Sequence, residues 1–260
     1  MKPEIVRVPA RQGARWLLLS CRTFWRRPWI FVLLILLQMA SVKLPSHFAP
    51  VLSNLVMLLA PFFVLAVMLA ASQVDAGQRA GPAMQLMTSG RRRLLTLLAL
   101  GVLCVLNDFG NDMLKAWVLD PAHIGQPPNL NMLFLAGLGS LALFAFLSLF
   151  LMLAPGLVHW YYVSLPQALL LSAGAVLRNW RAFALFGLLW GGVCGTALGM
   201  AAGFLMRAGV TGDALTATLI GHILVWIITL MIANFFILRD CFAAVSSPFP
   251  AASDTRLGTT

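Results

Sequence analysis

The sequence predicts an all-α integral membrane protein: a bundle of six transmembrane helices with short cytoplasmic interfacial helices, read as three parallel helix–span–span repeats. Three observations carry that prediction. Only 10% of the 260 residues are charged and 60% are hydrophobic, with mean hydropathy +0.89; a soluble domain needs about a quarter charged residues. Several apolar runs reach the roughly 20 helical residues that cross a bilayer core. The basic residues crowd onto alternate connections, as the bias of Lys and Arg toward the cytoplasmic side requires.

Residues 1–9 read as a short polar lead. Residues 10–27 form an amphipathic interfacial helix, because at about 100° per residue Arg11, Arg15, Arg22 and Arg26 fall in one sector of roughly 60°. Trp16, Leu17, Cys21, Thr23 and Phe24 spread over the rest, a basic face over an apolar body that suits the headgroup boundary. The basic start runs to Arg27 and no small-x-small site precedes Lys43, so the segment reads as retained rather than cleaved. Pro28 opens the next helix, where its missing N–H costs nothing.

The six-span membrane domain covers 28–240. Its spans are expected at about 29–44, 51–72, 94–112, 132–154, 182–206 and 214–238. Pro61 falls inside span 2 and predicts a kink. Arg91, Arg92 and Arg93 flank span 3, whose outer end carries Asn107, Asp108, Asn111 and Asp112. His159, Trp160, Tyr161 and Tyr162 follow span 4 as an aromatic belt would. Pro166 opens a short helix to about Leu177, and Arg178-Asn179-Trp180-Arg181 turns the chain into span 5. Arg239-Asp240 closes span 6, and the tail 241–260 is expected to be largely disordered.

Seven of the 18 Lys and Arg precede span 1. Arg79, the three arginines at 91–93, Arg178, Arg181, Arg239 and Arg256 fall on the same side. Lys43, Lys115 and Arg207 are left outside. This places both termini in the cytoplasm. A net charge of +10 distributed in this way belongs to membrane flanks, and nucleic acid is not an expected partner.

The pattern helix–basic turn–span–span recurs at 10–72, 82–155 and 166–238. Ser20 to Arg26 matches Ser172 to Arg178 in spacing, and Leu59-Ala60-Pro61 matches Leu153-Ala154-Pro155. Each unit starts on the cytoplasmic side, so the repeats are parallel. Residues 6–13 (VRVPARQG), Ala154-Pro155, Ser172 with Arg178-Asn179-Trp180-Arg181-Ala182-Phe183, and Arg239-Asp240-Cys241-Phe242 together resemble a family of uncharacterised proteobacterial multi-span membrane proteins. The resemblance covers most of 5–242. It implies an inner-membrane location and supplies no activity and no catalytic residue.

Two constellations stand out. Gly187, Gly191, Gly195, Gly199 and Gly203 recur every fourth residue in span 5, a groove for close helix packing, which makes span 5 the expected central packing helix. Asp108 and Asp112, at i and i+4, share a helix face; with Asp120 and His123 they form a weak candidate for an outer cation site, against the plainer reading of a solvated acidic helix end. His159 and His222 fall near opposite membrane faces and do not share a metal. His222, Thr196, Thr229, Gln38, Asn54 and Asn234 are expected to hydrogen-bond neighbouring helices. The four cysteines, Cys21, Cys104, Cys194 and Cys241, have neither metal nor redox spacing.

No Asp, Glu, Lys or Arg falls near the middle of a span, where proton- and ion-coupled transport sites place one. Phosphate-loop, serine-hydrolase, metalloprotease and thioredoxin motifs are absent. No catalytic residue, metal or cofactor is expected. The function expected is non-enzymatic: an accessory or scaffold protein that binds anionic lipid or partner helices, with a membrane-protein partner or a second copy as possible company. Arg11, Arg15, Arg22, Arg26, Arg91, Arg92, Arg93, Arg178, Arg181 and Trp180 would supply the headgroup contacts. The alternative is a transporter or channel for a small or lipidic solute, with a cavity lined by Asn54, Ser140, Ser148 or Asn234. A membrane-embedded enzyme ranks third.

Overall fold

A computed structural model describes residues 3–48, 57–78, 90–119 and 150–243, with a few helical residues between 134 and 147. The chain is almost entirely helical. A short strand β1 (Glu4–Ile5) leads to α1 (Gln12–Arg26), α2 (Pro28–Phe48), α3 (Ala60–Asp75), α4 (Arg91–Leu119), α5 (Ala154–Tyr161), α6 (Leu165–Arg178), α7 (Trp180–Arg207) and α8 (Gly212–Cys241), and ends in β2 (Phe242–Ala243). Arg91–Met113, Trp180–Arg207 and Gly212–Cys241 are long and apolar enough to cross a membrane. Pro28–Ser41, Ala60–Asp75 and Leu165–Arg178 are apolar but shorter. About half of the fourth expected span lies outside the described residues, and so do Asn54, Arg79, Pro82, Asp120, His123 and Ser148.

Local chemistry sets several boundaries. Ser164 caps α6, and Gln167 reaches back to the Ser164 backbone N–H, so two N–H groups that the helix itself cannot satisfy are paired reciprocally. Pro28 starts α2. Pro61 stands in the first turn of α3, after a turn at Leu58-Leu59 that follows helical Met57, so the expected second span is interrupted just before this proline. A proline there forfeits no helical hydrogen bond. Pro155 does the same for α5, so the two Leu-Ala-Pro segments share one structural role. Ser20 and Ser172 are both fully buried. Each precedes an Arg at the end of its helix, Arg26 in α1 and Arg178 in α6. The surface helix expected to open the middle unit falls at 82–90, almost all of it outside the described residues.

Helix α8 holds the centre. Ile228, Ile232, Ala233, Phe235, Phe236, Ile237 and Leu238 are buried within it. They pack against α1, α3 and α7 in one core with Phe31, Leu65, Met68, Leu69 and Leu157. Helix α1 crosses the start of α7: Trp16 is buried, with its ring edge-on to Phe183 at 5.3 Å and to Phe186 at 6.4 Å. Its apolar face (Trp16, Leu17, Thr23, Phe24) is therefore covered by protein.

Gly13 makes that crossing possible. A Cβ at Gly13 would run into the Ala182 carbonyl and stand 2.8 Å from the Phe186 nitrogen, both rigid backbone atoms. Gly13→Val is expected to destabilise the protein by about 1–3 kcal/mol through overpacking. Gly187→Ala, where a Cβ meets nothing within 4 Å, is expected to be neutral or slightly stabilising. Thermal unfolding in detergent compares the two, and equal midpoints would remove the close crossing from the account.

The glycine ladder requires a correction. Gly187, Gly191, Gly195, Gly199 and Gly203 are exposed, and among the described residues no atom lies within 4 Å of the Cβ position of any of them. The buried residues of α7 are Ala182 and Phe186, in its first two turns where α1 crosses. Beyond them the ladder faces outward, so α8 rather than α7 is the central packing helix. Three polar side chains are also corrected. Thr196 and Thr229 donate to carbonyls of their own helices, Gly192 at 2.7 Å and Trp226 at 2.8 Å. His222 Nε2 accepts from Trp226 Nε1 at 2.8 Å, one turn along α8. A hydroxyl or imidazole with a partner one turn away needs no neighbouring helix. Trp190 Nε1 does bond across helices, donating to the Trp226 carbonyl at 3.3 Å.

Candidate functional site at the basic end of the bundle

Both ends of the described chain meet at one end of the bundle. β1 and β2 pair antiparallel, Glu4 opposite Ala243 and Ile5 opposite Phe242. The Val6 N–H donates to the Cys241 carbonyl at 2.9 Å. A short extended segment has its own N–H and C=O groups to satisfy, and Asn179 completes the set. Its Oδ1 accepts from the Val8 N–H at 2.8 Å, and its Nδ2 donates to the Val6 carbonyl at 2.9 Å and the Ala175 carbonyl at 3.1 Å. An amide side chain supplies a donor nitrogen and an acceptor oxygen side by side, and Asn179 is 3% exposed. The lead from Glu4, and the tail as far as Ala243, where disorder was expected, are thus built into the fold.

Beside this clamp lies a second polar cluster. Asp240 Oδ2 accepts from Gln12 Nε2 at 2.5 Å and from Trp16 Nε1 at 2.9 Å. Asp240 Oδ1 pairs with Arg239 Nε at 3.2 Å, and Arg239 Nη1 pairs with Asp75 Oδ2 at 2.9 Å. The Arg239 guanidinium also lies over the Phe236 ring at 5.0 Å. This arginine joins α8 to α3, reaches α1 only through Asp240, and is not a free flank charge. Gln12, Asp75, Asp240 and the clamp role of Asn179 escape local pattern reading. An acidic residue on the basic side of the molecule was the one available signal.

The expected headgroup residues behave differently. Arg11, Arg15, Arg22 and Arg26 are exposed on α1, on the face opposite its packed side. Leu18, Trp25 and, at the start of α2, Trp29 are exposed with them, at 69%, 74% and 81%. Arg178, Trp180 and Arg181 are exposed around buried Asn179, with the Arg181 guanidinium 5.5 Å from the Trp180 ring centre. Arg91 and Arg92 are exposed, and Arg93 is half-buried with its guanidinium 3.7 Å above the Tyr162 ring. Tyr162 adopts a left-handed backbone (φ 58°) just past α5. Burial, and then the Arg93 charge, pull the neighbouring His159 imidazole down to about 4, so it stays neutral near pH 7 and adds nothing to the cluster.

Contacts link these groups to one end of the molecule. Gly13 meets Ala182, Asn179 meets Val6 and Val8, Tyr161 donates to the Phe242 carbonyl at 3.5 Å, and Asp75 meets Arg239. Asp108 is half-buried and Asp112 exposed, far along α4 from its basic start. Among the described residues no three His, Cys, Asp or Glu side chains gather as metal ligands.

Among the described residues, three long apolar helices, further shorter ones and an arginine-rich end define a largely helical membrane protein. The chain is 26% identical to a protein of Burkholderia thailandensis described as a probable inner membrane protein, with 97% of this chain and 98% of that relative covered. That likeness fits the uncharacterised inner-membrane proteins that the motifs resemble. No family model matches the chain, and no solved structure does.

Proposed function

We propose that this chain is a non-enzymatic accessory or scaffold protein of the bacterial inner membrane, whose basic end gathers anionic lipid from the cytoplasmic leaflet. The observation that carries the reading is the outward face of α1. Its apolar side is already covered by protein, yet Arg11, Arg15, Arg22 and Arg26 stay outside among exposed Leu18 and Trp25. Arginine interleaved with aromatic and aliphatic groups suits the boundary between headgroup phosphates and acyl chains. Arg91, Arg92, Arg178 and Arg181 extend the same charge around the end of the bundle.

The topology supports this placement. Residues 4–5 pair with 242–243, which favours an even number of crossings, and the apolar runs supply six. The excess of arginine at that end favours the cytoplasm. The inner-membrane description of the Burkholderia relative agrees with it. The outward glycine face of α7 offers close backbone approach to a partner span or a second copy.

Native mass spectrometry of protein released from nanodiscs of mixed anionic and zwitterionic lipid tests the reading. Wild type is expected to retain mainly anionic lipid. The triple change Arg15→Gln, Arg22→Gln and Arg26→Gln is expected to lower that retention severalfold, each arginine near a charged surface being worth about 1 kcal/mol. Arg178→Gln with Arg181→Gln should act in the same direction. Unchanged retention in both variants would count decisively against it. The same spectra weigh any second copy or partner bound to the chain.

A further inference from the structure

One face of α4 carries two different cavities. Arg92, Thr96, Ala99, Leu103, Asn107 and Gly110 recur at helical spacing, so they form one stripe. At its basic end the stripe borders a cavity of about 260 Å³, closed on the far side by Val158 and Tyr162. Arg92 and Arg93 line it, and among the described residues neither pairs with a carboxylate, in contrast to Arg239 with its two. Thr96 lines it one turn deeper, its hydroxyl donating to the Arg92 carbonyl at 2.9 Å. Further along the stripe is a second cavity of about 350 Å³, between Leu103, Leu106 and Gly110 on one side and Leu147, Phe150 and Leu169 on the other. Its lining is almost wholly apolar, with Asn107 as the polar exception.

The spacing between the two fits a lipid. At 1.5 Å per residue, Leu103 and Gly110 lie about 16 and 27 Å beyond Arg92. One leaflet of the hydrocarbon core is about 15 Å deep. A phosphate held at Arg92 and Arg93 would therefore bring the end of a long acyl chain to the near side of the second cavity, at Leu103. A Cβ at Gly110 would meet nothing within 4 Å, so the space there is open.

We propose that this face of α4 is a built site for one anionic glycerophospholipid. Its phosphate sits between Arg92 and Arg93 against the Tyr162 ring, and one acyl chain enters the near side of the second cavity, at Leu103 and Leu106. The site deepens the lipid reading above and rests on it for the placement of the basic end at the membrane surface. It differs from the α1 surface in being saturable and in selecting chain length as well as charge.

The test uses the full chain, purified, delipidated in mild detergent and titrated with phosphatidylglycerol or phosphatidylcholine under native mass spectrometry. Wild type is expected to hold one long-chain phosphatidylglycerol more tightly than any further lipid. Arg92→Gln with Arg93→Gln should weaken that lipid about tenfold or more. Gly110→Leu fills the apolar cavity and leaves the Arg93–Tyr162 stack untouched. It should weaken phosphatidylglycerol with 16- or 18-carbon chains while leaving the 8-carbon form unaffected. Equal binding of phosphatidylglycerol and phosphatidylcholine to wild type would overturn the site, and so would long-chain binding that Gly110→Leu does not change. If the α1 arginine variant alone loses anionic lipid, the α4 site fails and the wider reading stands; if neither set of variants matters, both fail.

Discussion

Asn179→Ala is expected to cost about 2–4 kcal/mol, because it leaves the Val8 N–H and the Val6 carbonyl without partners beside a buried position. The side chain closes two backbone bonds to a segment more than 170 residues away and a third to its own helix. Alanine keeps the helix break but supplies neither donor nor acceptor. In a chain of this size each kcal/mol lowers the midpoint by roughly 2–4 °C, so the loss is visible in thermal unfolding in detergent. A second readout separates this cause from general damage. The N-terminal segment should become cleavable by protease around residues 6–9 at temperatures where the rest of the chain stays folded. If that segment remained protected in Asn179→Ala, the clamp would not be what holds it.

Asp240→Ala is expected to have an effect of similar size through a different mechanism. Trp16 is fully buried, and its indole N–H has Asp240 as partner. Removing the carboxylate leaves that donor unpaired and leaves Arg239 with Asp75 alone. Together these cost about 2–4 kcal/mol, near the lower end for breaking a fully buried pair because both charges keep some water. Asp75→Ala provides the comparison. It removes one ion pair whose side chains are 27% and 23% exposed, an interaction worth about 1 kcal/mol or less. Denaturation midpoints should therefore order as wild type, Asp75→Ala, then Asp240→Ala. The reverse order of the two variants would place the weight on Arg239–Asp75 instead.

Much of the helical layout was legible because it depends on neighbours in sequence. Pro28 and Pro166 mark helix starts, and Asn179 sits at the break between α6 and α7 as the Arg-Asn-Trp-Arg segment implied. The arginine stripe of α1 is a matter of 100° per residue and falls where periodicity places it. The polar clamp was not legible, since Trp16 and Asp240 are 224 residues apart and nothing local distinguishes a paired aspartate from a helix-end charge. The glycine ladder failed for a related reason. Spacing of four makes a smooth helix face, and the spacing is the same whether that face meets a neighbour or points outward. The one sequence clue to the clamp region was an anomaly of sign: Asp75 and Asp240 are acidic residues on the side that the charge rule reserves for Lys and Arg.

The claim that the basic end contacts anionic lipid is tested most directly by spin-labelled lipids around the reconstituted protein. Electron spin resonance separates lipid immobilised at the protein from lipid in the bulk bilayer. At low salt the protein should immobilise phosphatidylglycerol in preference to phosphatidylcholine. The preference should shrink as salt shortens the Debye length from about 30 Å at 0.01 M to about 8 Å at 0.15 M. It should also shrink when Arg15, Arg22 and Arg26 become glutamine. Equal immobilisation of the two lipids at low salt would contradict the account.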